Sequence, residues 1–396
     1  MDAEGAGRRH GKGTGNVRII HVITRFIRGG ADENTLLTCD GQAALGHEVH
    51  LVYGDYHPDM VAAAGSHVRM HHLPSLVRAI RPWADMQSLW ALSRLFRTLR
   101  PDIVHTHESK AGVLGRLAAA QARVPIVVHG VHILPFVGVG PVAARIYLAL
   151  EKAAARATDA YVDVSEGMRD LCLGHGLGRP ENHFVVASGM DVTRFRTAPP
   201  LSRDAIVQGH NFAADCTIGL VSGALEPRKR VAELVAALGA TPPPGNWALL
   251  IAGTGPEEPA IARIIAAHGL QDRVFPLGFC SNLPQLIATA DICLHVACNE
   301  GLPRVVVQYV LGGKPVVTTA LPGIERVVQD GVNGVLVPVT APDAAAEVFT
   351  RLISAPQSRA AYSKASREAD LSDWGADAMV TRIEQVYASI ARQKRV

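Results

Sequence analysis

Glu300, Gly301, Leu302 and Pro303 lie between two apolar runs, at a place where a chain of this pattern could do chemistry. Asp291 to Val296 reads as a buried strand, and Cys298-Asn299-Glu300-Gly301 reads as a polar loop. Pro303 suits the first turn of a helix, where its missing N–H costs nothing. Gly312-Gly313 closes that helix, and Pro315-Val316-Val317 resumes as a strand. The valines at 305–307 favour a strand, so the helix is expected from its end signals. A strand, a glycine-bearing loop and a helix start turn backbone N–H groups and a positive dipole end outward, which suits phosphate. A carboxylate at 300 would repel phosphate; sugar hydroxyls, which donate to carboxylates, are its better partner. Gln308, eight residues on, is expected to face the same groove. The plainer alternative is a buried crossover helix with an incidental Glu.

Arg228-Lys229-Arg230 follows a strand and a glycine, Gly223. Basic residues are disfavoured at a helix N-terminus, so their placement asks for an anion, and a diphosphate would serve. Gly29-Gly30 follows the strand-like Val17 to Thr24 and allows close backbone approach where a parallel sheet places its ligands. His105 and His107 end a third apolar run, and His129 with His132 lies at the end of a fourth. Only Glu108 joins them as an acid. Buried structural histidines or hydrogen bonding to a polyhydroxyl substrate therefore fit better than a metal, and no metal site is expected.

Those residues need a frame, and the chain supplies one twice. Strand, glycine loop, helix and strand alternate from Val17 to Ala187, and the pattern restarts at Cys216. The expected fold class is α/β, with two Rossmann-like doubly wound parallel sheets facing across a cleft. The expected boundaries are a disordered tail over 1–16, a first domain over 17–195, a linker over 196–215 and a second domain over 216–374. After Asp373-Trp374-Gly375, a last helix over 375–396 carries Met379, Ile383, Val386, Tyr387 and Ile390 on one face. It is expected to return onto the first domain.

Composition bounds the function. The chain has 396 residues, 48% hydrophobic and 19% charged, with a net charge of +3 that gives no reason to expect nucleic acid. Six scattered cysteines without a C-x-x-C pair suit a reduced cytoplasm. Met1 to Asn16 lacks the apolar core of a signal peptide. Val124 to Leu150 is the most apolar stretch, but histidines, prolines, glycines and Arg145 break it, so no membrane span is expected. There is no G-x-x-x-x-G-K-[ST] loop, no G-x-S-x-G elbow and no D-x-D pair. Gly253-Thr254-Gly255 lacks the third glycine of a dinucleotide fingerprint, which argues against a nicotinamide-dependent oxidoreductase.

Together these segments resemble the retaining glycosyltransferases of family four, which have the GT-B fold. The resemblance runs from Val17 to Ile390. It is strongest in Gly253-Thr254-Gly255-Pro256, Gly278-Phe279, Glu300-Gly301-Leu302-Pro303, Gly313-Lys314-Pro315 and Asp330-Gly331-Val332-Asn333-Gly334. Gly46-His47-Glu48-Val49, the run HTHESKAG from His105, and His129-Gly130 carry it through the first half. It implies a nucleotide-diphospho-sugar donor, often a UDP-sugar, held mainly by the second domain, and an acceptor held by the first. By position, Glu300 would hold the donor sugar's hydroxyls and Lys229, with Arg228 beside it, the diphosphate. Gly29 and Gly30 would approach the phosphates, and His129 would line the reacting centre. Gly255, Gly301, Leu302 and Gln308 would complete donor binding. Transfer would retain the anomeric configuration without a metal or other resident cofactor.

Two positions depart from the family's pattern: Gln308 stands for a Glu that accepts from the ribose, and Ala224 for an Arg beside the diphosphate. They motivate a second reading, a non-catalytic relative that binds a nucleotide-sugar or a partner subunit. The acceptor stays open between a sugar, a lipid-linked molecule and a small molecule such as an antibiotic precursor. The apolar loop Ile133 to Val139 either packs inside the first domain or touches a membrane, so the expected location is cytoplasmic with possible peripheral membrane contact.

Overall fold

A computed structural model of the chain describes residues 16–395 apart from 28, 137–138, 208–209, 211 and 342. All but the last residue of the expected tail therefore lies outside the described residues.

Seven strands form the first sheet: β1 (Arg18–Phe26), β2 (Glu48–Tyr56), β3 (Val68–His72), β4 (Ile103–His107), β5 (Ile126–Val131), β6 (Ala160–Asp163) and β7 (His183–Val185). Six form the second: β8 (Thr217–Ser222), β9 (Trp247–Ala252), β10 (Val274–Gly278), β11 (Ile292–His295), β12 (Val316–Thr319) and β13 (Gly334–Val337). The spatial orders are 3-2-1-4-5-6-7 and 10-9-8-11-12-13, and every pairing within the two sheets is parallel. Both sheets are doubly wound, as expected, because helices cover both faces and the strands read as apolar runs. In such a sheet the ligand crevice opens where the order reverses, beyond the strand C-termini. Those points lie between β1 and β4 in the first sheet and between β8 and β11 in the second.

The valines at 305–307 are helical: the helix spans Arg304–Leu311, with Pro303 as its N-cap. Burial decides this, since Val306, Val307, Val310 and Leu311 fill the core of the second domain beneath β8 and β12. Helix Pro82–Leu99 begins at a proline, which is well placed in the first turn.

Ile206 and Phe212 of the expected linker lie in the core of the second domain, together with Met190 and Phe195. Helix Ala376–Lys394 lays Met379, Val380, Ile383, Val386, Tyr387 and Ile390 over Ile19, Ile103, Ile126 and Val128 of the first sheet. The chain thus crosses between the domains twice. Met190 and Gly375 pair as a parallel bridge where the crossings meet.

Candidate active site

The loop after β11 brings Glu300 to the mouth of the second sheet's crevice. Its Oε1 lies 2.8 Å from Arg228 Nη1 and within ion-pair contact of Lys229 Nζ. Arg228 is fixed from both sides, donating to Glu226 Oε2 at 2.7 Å and to the Asn299 carbonyl at 3.2 Å. Burial alone would push the Glu300 carboxyl up, but the charges of Lys229 and Arg228 outweigh it and hold the group below the usual carboxylate range. Glu300 is therefore an anion at neutral pH.

The cationic cluster is not in the first turn of a helix. Pro227–Lys229 is a short 3-10 turn, Arg230 has a left-handed φ of 54°, and the helix begins at Val231. The dipole argument for a bound diphosphate therefore loses its footing, and the anion that meets the cluster is Glu300 itself. Arg230 turns away, donating to the Val339 carbonyl and facing Glu233 Oε2 at 3.5 Å. Of the two arginines in the cluster, only Arg228 is at the site, beside the position where Ala224 stands for the family's Arg.

Beside the cluster a recess of about 220 Å³ is lined by Ser222, Gly223, Ala224, Lys229, His295 and Val296. It lies at the ends of β8 and β11, the switch point of this sheet. The His295 ring is buried, with Nε2 4.0 Å from Glu300 Oε1 and without a hydrogen-bond partner among the described residues. Burial, with Lys229 alongside, pulls its pKa down to about 3, so it stays neutral and free to donate or accept. Its only signal in the sequence is a polar residue ending an apolar strand.

The remaining second-domain candidates scatter. Gly255 packs against the Leu225 backbone, and its N–H is taken by Glu258 Oε1 at 2.6 Å, so this amide is not free for phosphate. Gln308 is buried about one turn into the helix. Glu300, in the loop, does not share its helical spacing. Gly301 and Leu302 face the other domain. Ser165 Oγ donates to the Gly301 carbonyl at 3.2 Å, and Leu302 joins apolar clusters of both domains.

The first domain closes on this loop through two contacts that no local pattern announces. The nearly buried Arg304 donates to Glu33 Oε2 at 2.9 Å and to the Gly189 carbonyl at 2.8 Å, and its stem lies over Gly30. A Cβ on Gly301 would run into the carbonyl oxygen of His132. Gly301→Ala is therefore expected to wedge the domains apart and lower turnover by about 10²-fold, since a displacement near 1 Å between reacting groups costs that much. Turnover and the radius of gyration by small-angle scattering check it together; a wild-type rate in a chain of unchanged size would refute the wedge.

Gly29 and Gly30 open helix Gly30–Ala44 at the first sheet's switch point. Asp32 in its first turn is buried, and burial first, then the nearby Glu108 charge, raises its pKa to about 8. A neutral acid there does not repel an incoming anion. Because the folded-state pKa lies above the unfolded one, Asp32's contribution to stability is complete below the unfolded carboxyl pKa. It is lost as pH rises through about 8. Melting of Asp32→Asn relative to wild type is expected to improve steadily from pH 5 to 8, by about 1.4 kcal/mol per unit. A difference that does not change with pH would show the carboxyl to be ionised throughout.

His129 sits with its ring against Gly112 and its Nδ1 3.0 Å from Thr106 Oγ1. It lines a second recess, of about 300 Å³, with Glu108, Ser109, Leu134, Glu151 and Tyr161. Among the described residues it makes no contact with Glu300; the histidine whose backbone meets the Glu300–Gly301 loop is His132. From His132 a hydrogen-bonded chain runs inward. Its Nε2 is 3.3 Å from His107 Nδ1, His107 Nε2 is 2.9 Å from His21 Nδ1, and His21 Nε2 is 2.8 Å from Gln42 Oε1. Gln42 then donates to Glu384 on the last helix at 2.9 Å. Burial pulls these imidazoles down, His21 and His132 to about 4, so the histidines of the chain are uncharged. His21, His105 and His107 bring ring nitrogens within 4.8 Å of one another, the one such grouping close enough for metal ligation among the described residues. The bond between His21 and His107 already uses two of those nitrogens.

Comparison with known proteins gives the geometry its context. Residues 202–369 match the family model for glycosyl transferases group 1, and residues 29–189 match the glycosyl transferase 4-like domain. The D-inositol 3-phosphate glycosyltransferase of Thermomonospora curvata is 30% identical over 312 residues, 72% of this chain and 71% of that one. The UDP-Gal:alpha-D-GlcNAc-diphosphoundecaprenol alpha-1,3-galactosyltransferase of Escherichia coli is 26% identical, covering 68% of this chain and 71% of that one. Among solved structures, Anabaena HepE in complex with UDP and glucose superposes with a TM-score of 0.78 at 21% identity, over 94% of this chain and all of that one. This chain belongs to the group 1 glycosyltransferases and has their GT-B fold. It is an enzyme of a family that moves glycosyl groups from nucleotide sugars.

Proposed function

We propose that this chain transfers a sugar from a UDP-sugar to an acceptor hydroxyl with retention at the anomeric carbon. The observation that carries the reading is the anionic Glu300 between Lys229 and Arg228, at the second sheet's switch point and against the first domain. On donor binding, Lys229 and Arg228 would turn from Glu300 to the diphosphate, and Glu300 would accept from the sugar hydroxyls. His295 Nε2, buried and without a hydrogen-bond partner among the described residues, would take a third contact. The acceptor oxygen bonds to the anomeric carbon as the diphosphate oxygen leaves on the same face, and that oxygen receives the acceptor's proton. Neutralising the leaving diphosphate with these two cations is where most of the rate enhancement would come from.

No resident metal enters this reading: Lys229 and Arg228 would supply the positive charge at the leaving group. The relatives' names support a UDP donor: one is a UDP-galactose enzyme whose acceptor is a diphosphoundecaprenol-linked sugar, and a fold neighbour was solved with UDP and glucose. A glycan precursor and a small glycosylated metabolite both remain acceptor classes. Mass spectrometry of products from pooled UDP-sugars and acceptors, with and without chelator, tests the reading. An added hexose that survives chelation, with the α-linkage of the donor, supports it; donor binding without transfer across the pool favours the non-catalytic reading that Gln308 and Ala224 motivate.

A further inference from the structure

Helix Pro82–Leu99 carries its largest apolar side chains on the outside. Trp83 is 79% exposed, Met86 64% and Trp90 64%, and Ile80 just before the helix is 56% exposed. At spacings of three and seven residues they form one stripe, while Leu92 and Phe96 on the opposite side fill the core. Helix Pro141–Ala155 repeats the pattern with Val142, Ile146 and Leu150, each more than 40% exposed. Helix Ser109–Ala122 packs between the two, so all three share one layer on one face of the first sheet. Both outer helices start at the C-terminal edge of the sheet, the edge that faces the cleft. The apolar loop between β5 and the second of these helices divides: Leu134 and Phe136 are buried, and Ile133 and Val139 are exposed beside the stripe.

Charge selects the partner. From Arg78 to Arg100 the chain has five arginines and one acid, Asp85, which Lys110 neutralises at 2.6 Å. Arg94 lies over the Trp90 ring at 5.6 Å. On the second helix Arg145 and Lys152 are exposed, and the only acid, Glu151, is buried against Arg116. Exposed tryptophans in an apolar stripe, ringed by arginines without free carboxylates, match the depth profile of a bilayer surface: aromatic rings at headgroup level, guanidinium groups on lipid phosphates. We infer that this face docks on an anionic lipid bilayer and holds the cleft edge of the first domain against the membrane. The chain would rest on the surface, because no helix among the described residues is long and apolar enough to cross.

The four tryptophans make this measurable in the whole chain without donor or acceptor, so the result is independent of the transfer reading. Trp247 and Trp374 are buried, and only Trp83 and Trp90 can meet lipid. With vesicles of equal parts phosphatidylcholine and phosphatidylglycerol, the chain is expected to sediment, its emission to shift to the blue, and brominated lipid to quench it. Phosphatidylcholine alone, or high salt, should weaken binding about tenfold or more. Trp83→Glu with Trp90→Glu should abolish it at an unchanged melting temperature, and Arg78→Glu with Arg97→Glu should weaken it without touching the stripe. The inference fails if the chain ignores anionic vesicles, or if the tryptophan and arginine variants bind as wild type. It also fails if the blue shift appears on concentrating the protein without lipid, which would make a second copy the occupant.

Discussion

Glu300→Gln is expected to lower glycosyl transfer by about 10²–10³-fold while leaving the fold intact. The carboxylate is the only acid in contact with both Lys229 and Arg228 among the described residues; Glu226 meets Arg228 alone. Glutamine keeps the size and one acceptor oxygen but removes the charge, so the grip on the sugar hydroxyls weakens. In the free enzyme the same change releases two cations into the recess. UDP should therefore bind at least as well as before, even as turnover collapses. Product formation by mass spectrometry and UDP affinity by calorimetry separate these effects. Wild-type turnover in the variant would overturn the assignment of this residue, and a parallel loss of UDP binding would make its role structural.

The largest loss of stability is expected at Arg116→Ala, in the interior of the first domain. Arg116 is fully buried; it donates to the Gly112 carbonyl at 2.7 Å and to Glu151 Oε2 at 2.5 Å, tying helix Ser109–Ala122 to helix Pro141–Ala155. Removing one partner of a buried ion pair strands the other charge, at a cost of about 3–5 kcal/mol. Replacing both, as Arg116→Met with Glu151→Leu, should recover most of that, because the solvation penalty of the pair disappears with it. Calorimetric melting of the single and double variants decides the matter. A double variant as unstable as the single would assign the loss to packing. His129 shares the neighbourhood: burial first, then the Arg116 charge, holds its imidazole neutral.

What the sequence made legible follows from how each feature is encoded. The two doubly wound sheets were readable because buried parallel strands are continuous apolar runs punctuated by glycine and proline. The placement of Glu300 after β11 and of Arg228-Lys229 after β8 was readable for the same reason. The partner of that basic pair was not, because Lys229 and Glu300 lie 71 positions apart in loops after different strands, and no local pattern distinguishes an internal carboxylate from a bound diphosphate. Arg304 was invisible as a clamp since Glu33 lies 271 positions away. His129 stood out by its His-Gly motif, yet only the fold reveals that its ring turns toward Gly112 while His132 meets the loop. Residues 196–215 read as polar linker, yet Ile206 and Phe212 are buried in the core of the second domain.

The return of the last helix to the first sheet has a consequence for biosynthesis. Ile19, Ile103, Ile126 and Val128 are covered by Met379, Ile383 and Ile390, so the face built first is sealed last. A ribosome adding about 5–20 residues per second would hold that apolar face open for some ten seconds or more while the second half is made. Chaperone dependence should therefore track the time between the two halves, and a chain interrupted near residue 375 should aggregate even though every strand of both sheets has been synthesised.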